Sequence, residues 1–89
     1  MKVLITKSAR KFGYIIWNKK TSVEINKMLG GKTEIEVIFN GFVLGTKPID
    51  WKYHRISIGY KFTRALPENA HFYCIGLKDS ILEVTTKND

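Results

Sequence analysis

Cysteine is nearly absent. Cys74 stands alone, so no internal disulfide can form, which suits a reducing compartment. Histidine is scarce too. Only His54 and His71 are available for acid–base or metal chemistry, and neither sits in a motif that sets it between a nucleophile and a carboxylate. His71 and Cys74 are an odd number of residues apart on a strand-like run, which puts them on opposite faces. A zinc site needs three or four ligands. No catalytic residues, no metal and no cofactor are therefore expected, and an enzyme is the least favoured reading. Gly30-Gly31-Lys32 resembles a fragment of a phosphate loop, but it ends a helix pattern instead of opening one, so it lacks the helix N-terminal dipole. Long apolar runs are also missing, and nothing approaches the roughly 20 residues of a membrane span. The apolar run at residues 3–5 is short and Lys7 lies just beyond it, so it reads as a strand, with a cytoplasmic location and no membrane partner expected.

Acidic residues are outnumbered. Fifteen Lys and Arg face eight Asp and Glu, a formal charge of +7. The excess is uneven. Residues 1–27 carry Lys2, Lys7, Arg10, Lys11, Lys19, Lys20 and Lys27 against Glu24 alone. Residues 47–64 carry Lys47, Lys52, Arg55, Lys61 and Arg64 against Asp50 alone. If the two basic segments meet in space they form one cationic surface, which attracts polyanions by steering and counterion release.

The remaining composition, 44% hydrophobic and 26% charged, is that of an ordinary globular domain. One domain is expected over residues 1–86, with 87–89 a flexible tail. Residues 3–6 and 13–18 read as strands, joined by a polar basic linker at 7–11. Thr21-Ser22-Val23-Glu24 matches a capping box. Ile25, Met28 and Leu29 then form an apolar stripe, and Gly30-Gly31 supplies a left-handed stop. Ile35, Val37 and Phe39 alternate with Glu34 and Glu36, the pattern of a half-buried strand. Asn40-Gly41 is a strong hairpin signal. Residues 42–44 return, and Lys47-Pro48 is expected to end that strand. Residues 51–60 read as another strand and 62–66 as a helical turn stopped by Pro67. Two last strands lie at 71–75 and 80–85, with a tight turn near Lys78-Asp79. The fold class is mainly β (α+β), a small barrel-like domain with one short helix.

The two halves share a plan of strand, helix and hairpin, which marks a candidate internal repeat over 13–46 and 54–86. Leu29 precedes Ile35 by six residues, as Leu66 precedes Phe72. Arg55-Ile56-Ser57-Ile58-Gly59 through Leu66, then Glu68-Asn69-Ala70 and two strands, resembles the AbrB/MraZ type of swapped-hairpin domain. Gly13-Tyr14-Ile15-Ile16 through Leu29-Gly30 has the same outline. Where that family has an Ile-Pro step after the first strand, this chain has Trp17-Asn18 and Gly59-Tyr60. The resemblance implies a DNA-binding regulator that uses basic residues before and within the first strand of each unit. By position these are Arg10, Lys11, Lys19 and Lys20, then Lys52, Arg55, Lys61 and Arg64.

Aromatic residues interleave with the cations. Tyr14, Trp17, Trp51, Tyr53 and Tyr60 lie near Lys19, Lys20, Lys52, Arg55 and Lys61, a mixture suited to stacking on bases with phosphates held alongside. Trp17 shares a face with Ile15 and is expected in the core. Trp51 and Tyr53 share a face with Arg55 and Ser57 and are candidates for base stacking. Three readings remain open: a DNA-binding protein, with transcriptional regulation as a candidate role; a single-strand or RNA-binding small barrel; and a phage- or plasmid-type factor that inhibits an acidic host protein. Two units could close on each other as a monomeric pseudo-dimer, or strand edges could pair two chains as a homodimer.

Overall fold

The computed structural model describes residues 1–88. Along the chain run β1 (Lys2–Leu4), α1 (Lys7–Phe12), β2 (Tyr14–Ile16), α2 (Lys19–Leu29), β3 (Glu34–Phe39), β4 (Phe42–Asp50), β5 (Arg55–Ser57), α3 (Tyr60–Arg64), β6 (Ala70–Lys78) and β7 (Ile81–Asn88). The strands form one seven-stranded sheet in the order β1-β6-β7-β3-β4-β5-β2. It curls into a nearly closed barrel, so that the two edge strands, β1 and β2, approach each other. All neighbours are antiparallel except β3 and β7, which run parallel. The mainly-β, barrel-like class expected from the pattern is the one observed. No helix among the described residues is long and apolar enough to cross a membrane.

The alternating strands fold as their period dictates. Ile35, Val37 and Phe39 are buried and Glu34 and Glu36 exposed. Ile15, Ile56 and Tyr73 are sealed inside with Trp17, Val37, Leu82 and Val84. Asn40 and Gly41 turn the β3–β4 hairpin with φ of 48° and 86°, the left-handed geometry of a two-residue turn. Asn40 also ties the hairpin to β7, for its Oδ1 accepts the Thr86 amide at 3.0 Å.

Several local expectations are corrected. Residues 7–11 are helix α1, not a linker. Thr6 caps it by accepting the Ala9 amide at 3.0 Å, and Gly13 ends it at a φ of 81°. α2 begins one turn earlier than the Thr21 box implies, because the Asn18 side chain accepts the Thr21 amide at 2.8 Å. Its buried residues are Ser22, Ile25 and Leu29, while Met28 is exposed. β4 runs through Pro48 to Asp50. β5 joins β4 only at Ile49 and Asp50, so at Pro48 the side away from β3 has no neighbour and the missing N–H costs no ladder bond. Residues 51–54 are a turn, β5 spans only Arg55–Ser57, and Tyr60 opens α3. Two residues of the expected tail are also strand. Lys87 and Asn88 continue β7 beside β6, and Asp89 lies outside the described residues.

Strand, helix and hairpin do recur in the two segments read as a repeat, and β2 pairs with β5 antiparallel. The sheet does not treat them alike. The parallel β3–β7 pair has no β6–β4 counterpart, and β6 pairs instead with β1. The crossing of the two segments is close. Gly13 accepts hydrogen bonds from the amides of Ile58 (2.7 Å) and Gly59 (3.2 Å). A Cβ on Gly13 would come within 2.3 Å of Gly59 and Tyr60 backbone atoms. Only glycine fits there.

Candidate nucleic-acid interface

The site begins with three short strands. On β2, β5 and the end of β4, Ile15, Ile56 and Ile49 point inward. Period-two alternation therefore sends Tyr14, Arg55, Ser57 and Asp50 to the outer face. The register sets Tyr14 opposite Ser57, Ile16 opposite Arg55, and Arg55 opposite Asp50. Residues from distant parts of the chain thus become neighbours on one small patch.

Arg55 is its centre. The guanidinium carbon lies 4.2 Å from the Tyr14 ring centroid and 5.0 Å from that of Tyr53. Its Nε sits 3.5 Å from Asp50 Oδ2. The other Asp50 oxygen accepts the Tyr53 amide at 3.0 Å, which folds the 51–54 turn back over the strand. Asp50, Arg55, Ser57, Tyr14, Pro48 and Ile49 line a cavity of about 260 Å³. Its lining thus brings together an aromatic ring, a guanidinium, a carboxylate and a hydroxyl.

Aromatic and cationic side chains alternate outward from that centre. Phe12 lies beyond Tyr14, with ring centroids 6.4 Å apart. Lys11 Nζ stands 5.4 Å from the Phe12 ring, and Lys52 Nζ stands 5.4 Å from the Tyr53 ring. Arg64 donates from Nε to the Lys11 carbonyl at 3.1 Å and covers the Tyr60 ring at 4.7 Å. At the other end, the Trp17 amide donates to the His54 carbonyl at 2.9 Å, and His54 Nδ1 meets Ser22 Oγ at 2.9 Å. These bonds hold the start of α2, with exposed Lys19 and Lys20, against the 51–54 turn. α2 has no acid in its first turn. Two lysines there oppose the helix dipole, at a cost of a few tenths of a kcal/mol each.

Cations from the N-terminal segment and from residues 52–64 therefore converge. Lys11, Lys52, Arg55 and Arg64 share the strip with Tyr53, Lys19 and Lys20 flank it, and Lys61 is exposed beside Tyr60 on α3. Two residues expected at the interface are placed elsewhere. Arg10 turns inward, donating from Nη1 to the Leu66 carbonyl and from Nη2 to the Ala70 carbonyl, each at 2.9 Å. Trp51 packs edge-on against Trp17 at 6.4 Å and spends its N–H on the Lys32 carbonyl at 2.9 Å. That leaves it as a core-edge anchor and not a stacking platform. Phe12 is a member of the strip that sequence reasoning misses. Its one signal is its place directly after Arg10 and Lys11.

Burial raises the Tyr73 hydroxyl to about 12 from an ordinary value of 10, against a smaller opposing effect of Arg10. Tyr73 lies in the core, so this perturbation belongs to the scaffold. Among the described residues no group of three or more His, Cys, Asp or Glu could hold a metal ion. No protein-family model, curated protein or solved structure matches the chain.

Proposed function

We propose that this chain binds nucleic acid, with DNA as the favoured class and transcriptional regulation as the role it would serve. The observation that carries the reading is the convergence of Lys11, Lys52, Arg55 and Arg64 on one outer face, flanked by Lys19 and Lys20 and containing one paired carboxylate, Asp50. Phosphate contacts need mobile cations that are not consumed by the fold. Lys11, Lys19, Lys20, Lys52 and Lys61 are exposed and meet that condition. The outline shared with AbrB/MraZ-like domains supports a DNA ligand, since several of these positions are the ones that resemblance implies.

The test is a polarisation titration of labelled duplex DNA at two salt concentrations. Each neutralised phosphate contributes a slope of about −0.9 in log K against log salt. About five contacts give a slope near −4.5, so affinity should fall roughly 500-fold between about 50 and 200 mM salt. The double variant Lys11→Glu with Lys52→Glu should weaken binding and flatten the slope. Lys78→Glu, on β6 and away from the strip, should do neither. A wild-type slope near zero, or equal effects of Lys78→Glu and the double variant, would overturn the reading.

A further inference from the structure

We infer that the ligand of this face is single-stranded, with unpaired bases stacked on Phe12 and Tyr53 and one base seated in the cavity beside Tyr14. The inference rests on the nucleic-acid reading and deepens it. Phosphate binding alone calls for cations. It gives no role to the rings that alternate with them. Phe12 is 54% exposed, Tyr53 55% and Tyr60 51%, so each forgoes much of the burial energy a large ring normally gains. Each also lies under a cation: Lys11 over Phe12, Lys52 and Arg55 over Tyr53, Arg64 over Tyr60. Such pairing holds a ring in place and sets a positive charge beside it, where the phosphate of a stacked nucleotide would run. A duplex hides its base faces in its own stack. Exposed rings on a cationic face match a strand whose bases are free.

The cavity adds a second observation. Its volume is about 260 Å³. Tyr14, with the Arg55 guanidinium over its ring, forms one wall, while Arg55 as donor, Asp50 as acceptor and Ser57 as both can meet the edge of an unpaired base. Arg55 is held between Tyr14 and Tyr53 and tethered by Asp50. Its guanidinium is therefore positioned before any ligand arrives, which reduces the ordering cost of binding.

The experiment compares one labelled oligonucleotide as single-stranded DNA, as single-stranded RNA and as duplex DNA, titrated with wild type, Phe12→Ala, Tyr53→Ala and Tyr53→Trp. Phe12 and Tyr53 are more than half exposed, and circular dichroism with thermal melting checks that each variant folds. Wild type is expected to bind at least one single strand at least about tenfold more tightly than the duplex. Phe12→Ala and Tyr53→Ala should each weaken single-strand binding about tenfold, and by more than they weaken duplex binding, with Tyr53→Trp retaining affinity. Equal affinity for duplex and single strands, with no effect of Tyr53→Ala, overturns this inference and leaves the nucleic-acid reading standing. So does a single-strand preference that neither alanine variant reduces. Absence of binding to all three oligonucleotides overturns both.

Discussion

Arg10→Met separates the scaffold from the interface. Arg10 and Lys11 are adjacent and both basic, yet the fold uses them differently. Arg10 reaches across from α1 to the segment that leads from α3 into β6, where its two Nη groups hold the carbonyls of Leu66 and of Ala70, the first residue of β6. Its own carbonyl accepts the Thr63 hydroxyl at 2.7 Å. The fork thus joins the first helix to a segment 56 and 60 residues later. Hydrogen bonds from a charged donor contribute about 1.5–3 kcal/mol each. Arg10 is only half-buried, so water would replace part of this, and the pair is worth about 2–3 kcal/mol in net stability. Methionine keeps the aliphatic volume and removes the donors. For a domain of this length the melting temperature should fall by roughly 10–20 °C. Urea unfolding with an unchanged m-value would show that the loss is one of stability. At a temperature where the variant stays folded, its affinity for an oligonucleotide should match wild type, whereas Lys11→Ala should lose affinity without losing stability. An Arg10→Met variant that melts like wild type and binds like Lys11→Ala would refute the assignment.

The remaining expectations concern the packing beneath the interface. Gly13→Ala should cost upwards of about 3 kcal/mol in urea unfolding, because the added methyl meets Gly59 and Tyr60 backbone at 2.3 Å and the φ of 81° disfavours any side chain. A Gly13→Ala variant as stable as wild type would show that this crossing is looser than those distances require. Tyr73 ionises near 10 when unfolded and near 12 when folded, so the unfolded chain loses its proton first. The stabilisation is therefore whole below pH 10 and is lost as pH rises towards 12, up to about 2–3 kcal/mol. Unfolding of wild type and Tyr73→Phe at several alkaline pH values isolates this from lysine titration, and parallel pH profiles would refute it. Trp51→Phe removes the bond to the Lys32 carbonyl and should cost about 1–2 kcal/mol while leaving oligonucleotide affinity unchanged; lost affinity in a folded variant would restore Trp51 to the interface.

The features legible in the sequence are the local ones. The alternation at residues 34–39 and the Asn40-Gly41 turn depend on neighbours in sequence, and both fold as read. The start of α2 is a contest between two caps one turn apart. The Thr21-Glu24 box matches a familiar pattern, but Asn18 captures the Thr21 amide first, and the extra turn it gains carries Lys19 and Lys20. Residues 7–11 look like a linker because α1 has only six residues and one buried side chain, Ala9. Too little apolar surface faces inward to leave a periodic signal. A hidden α1 also conceals Phe12. The fates of Arg10 and Trp51 are illegible for another reason, since their partners are backbone carbonyls at 66, 70 and 32, which no residue type announces.

The same geometry explains why the strip forms at all. β2 and β5 are three residues each, short enough that their pairing alone would be marginal. They are held in register from both ends: by the Gly13 carbonyl, which takes the Ile58 and Gly59 amides, and by the His54 carbonyl, which takes the Trp17 amide. Between these ties lie the residues that bring Arg55 beside Tyr14. Arg64 extends the arrangement to α1 by donating to the Lys11 carbonyl, fixing the backbone of Lys11 while leaving its ammonium exposed beside Phe12. Charge on this face is thus carried on a frame set by backbone carbonyls. Neutralising an exposed lysine should alter ligand affinity alone, whereas changing Gly13 should disturb the frame and the rings mounted on it.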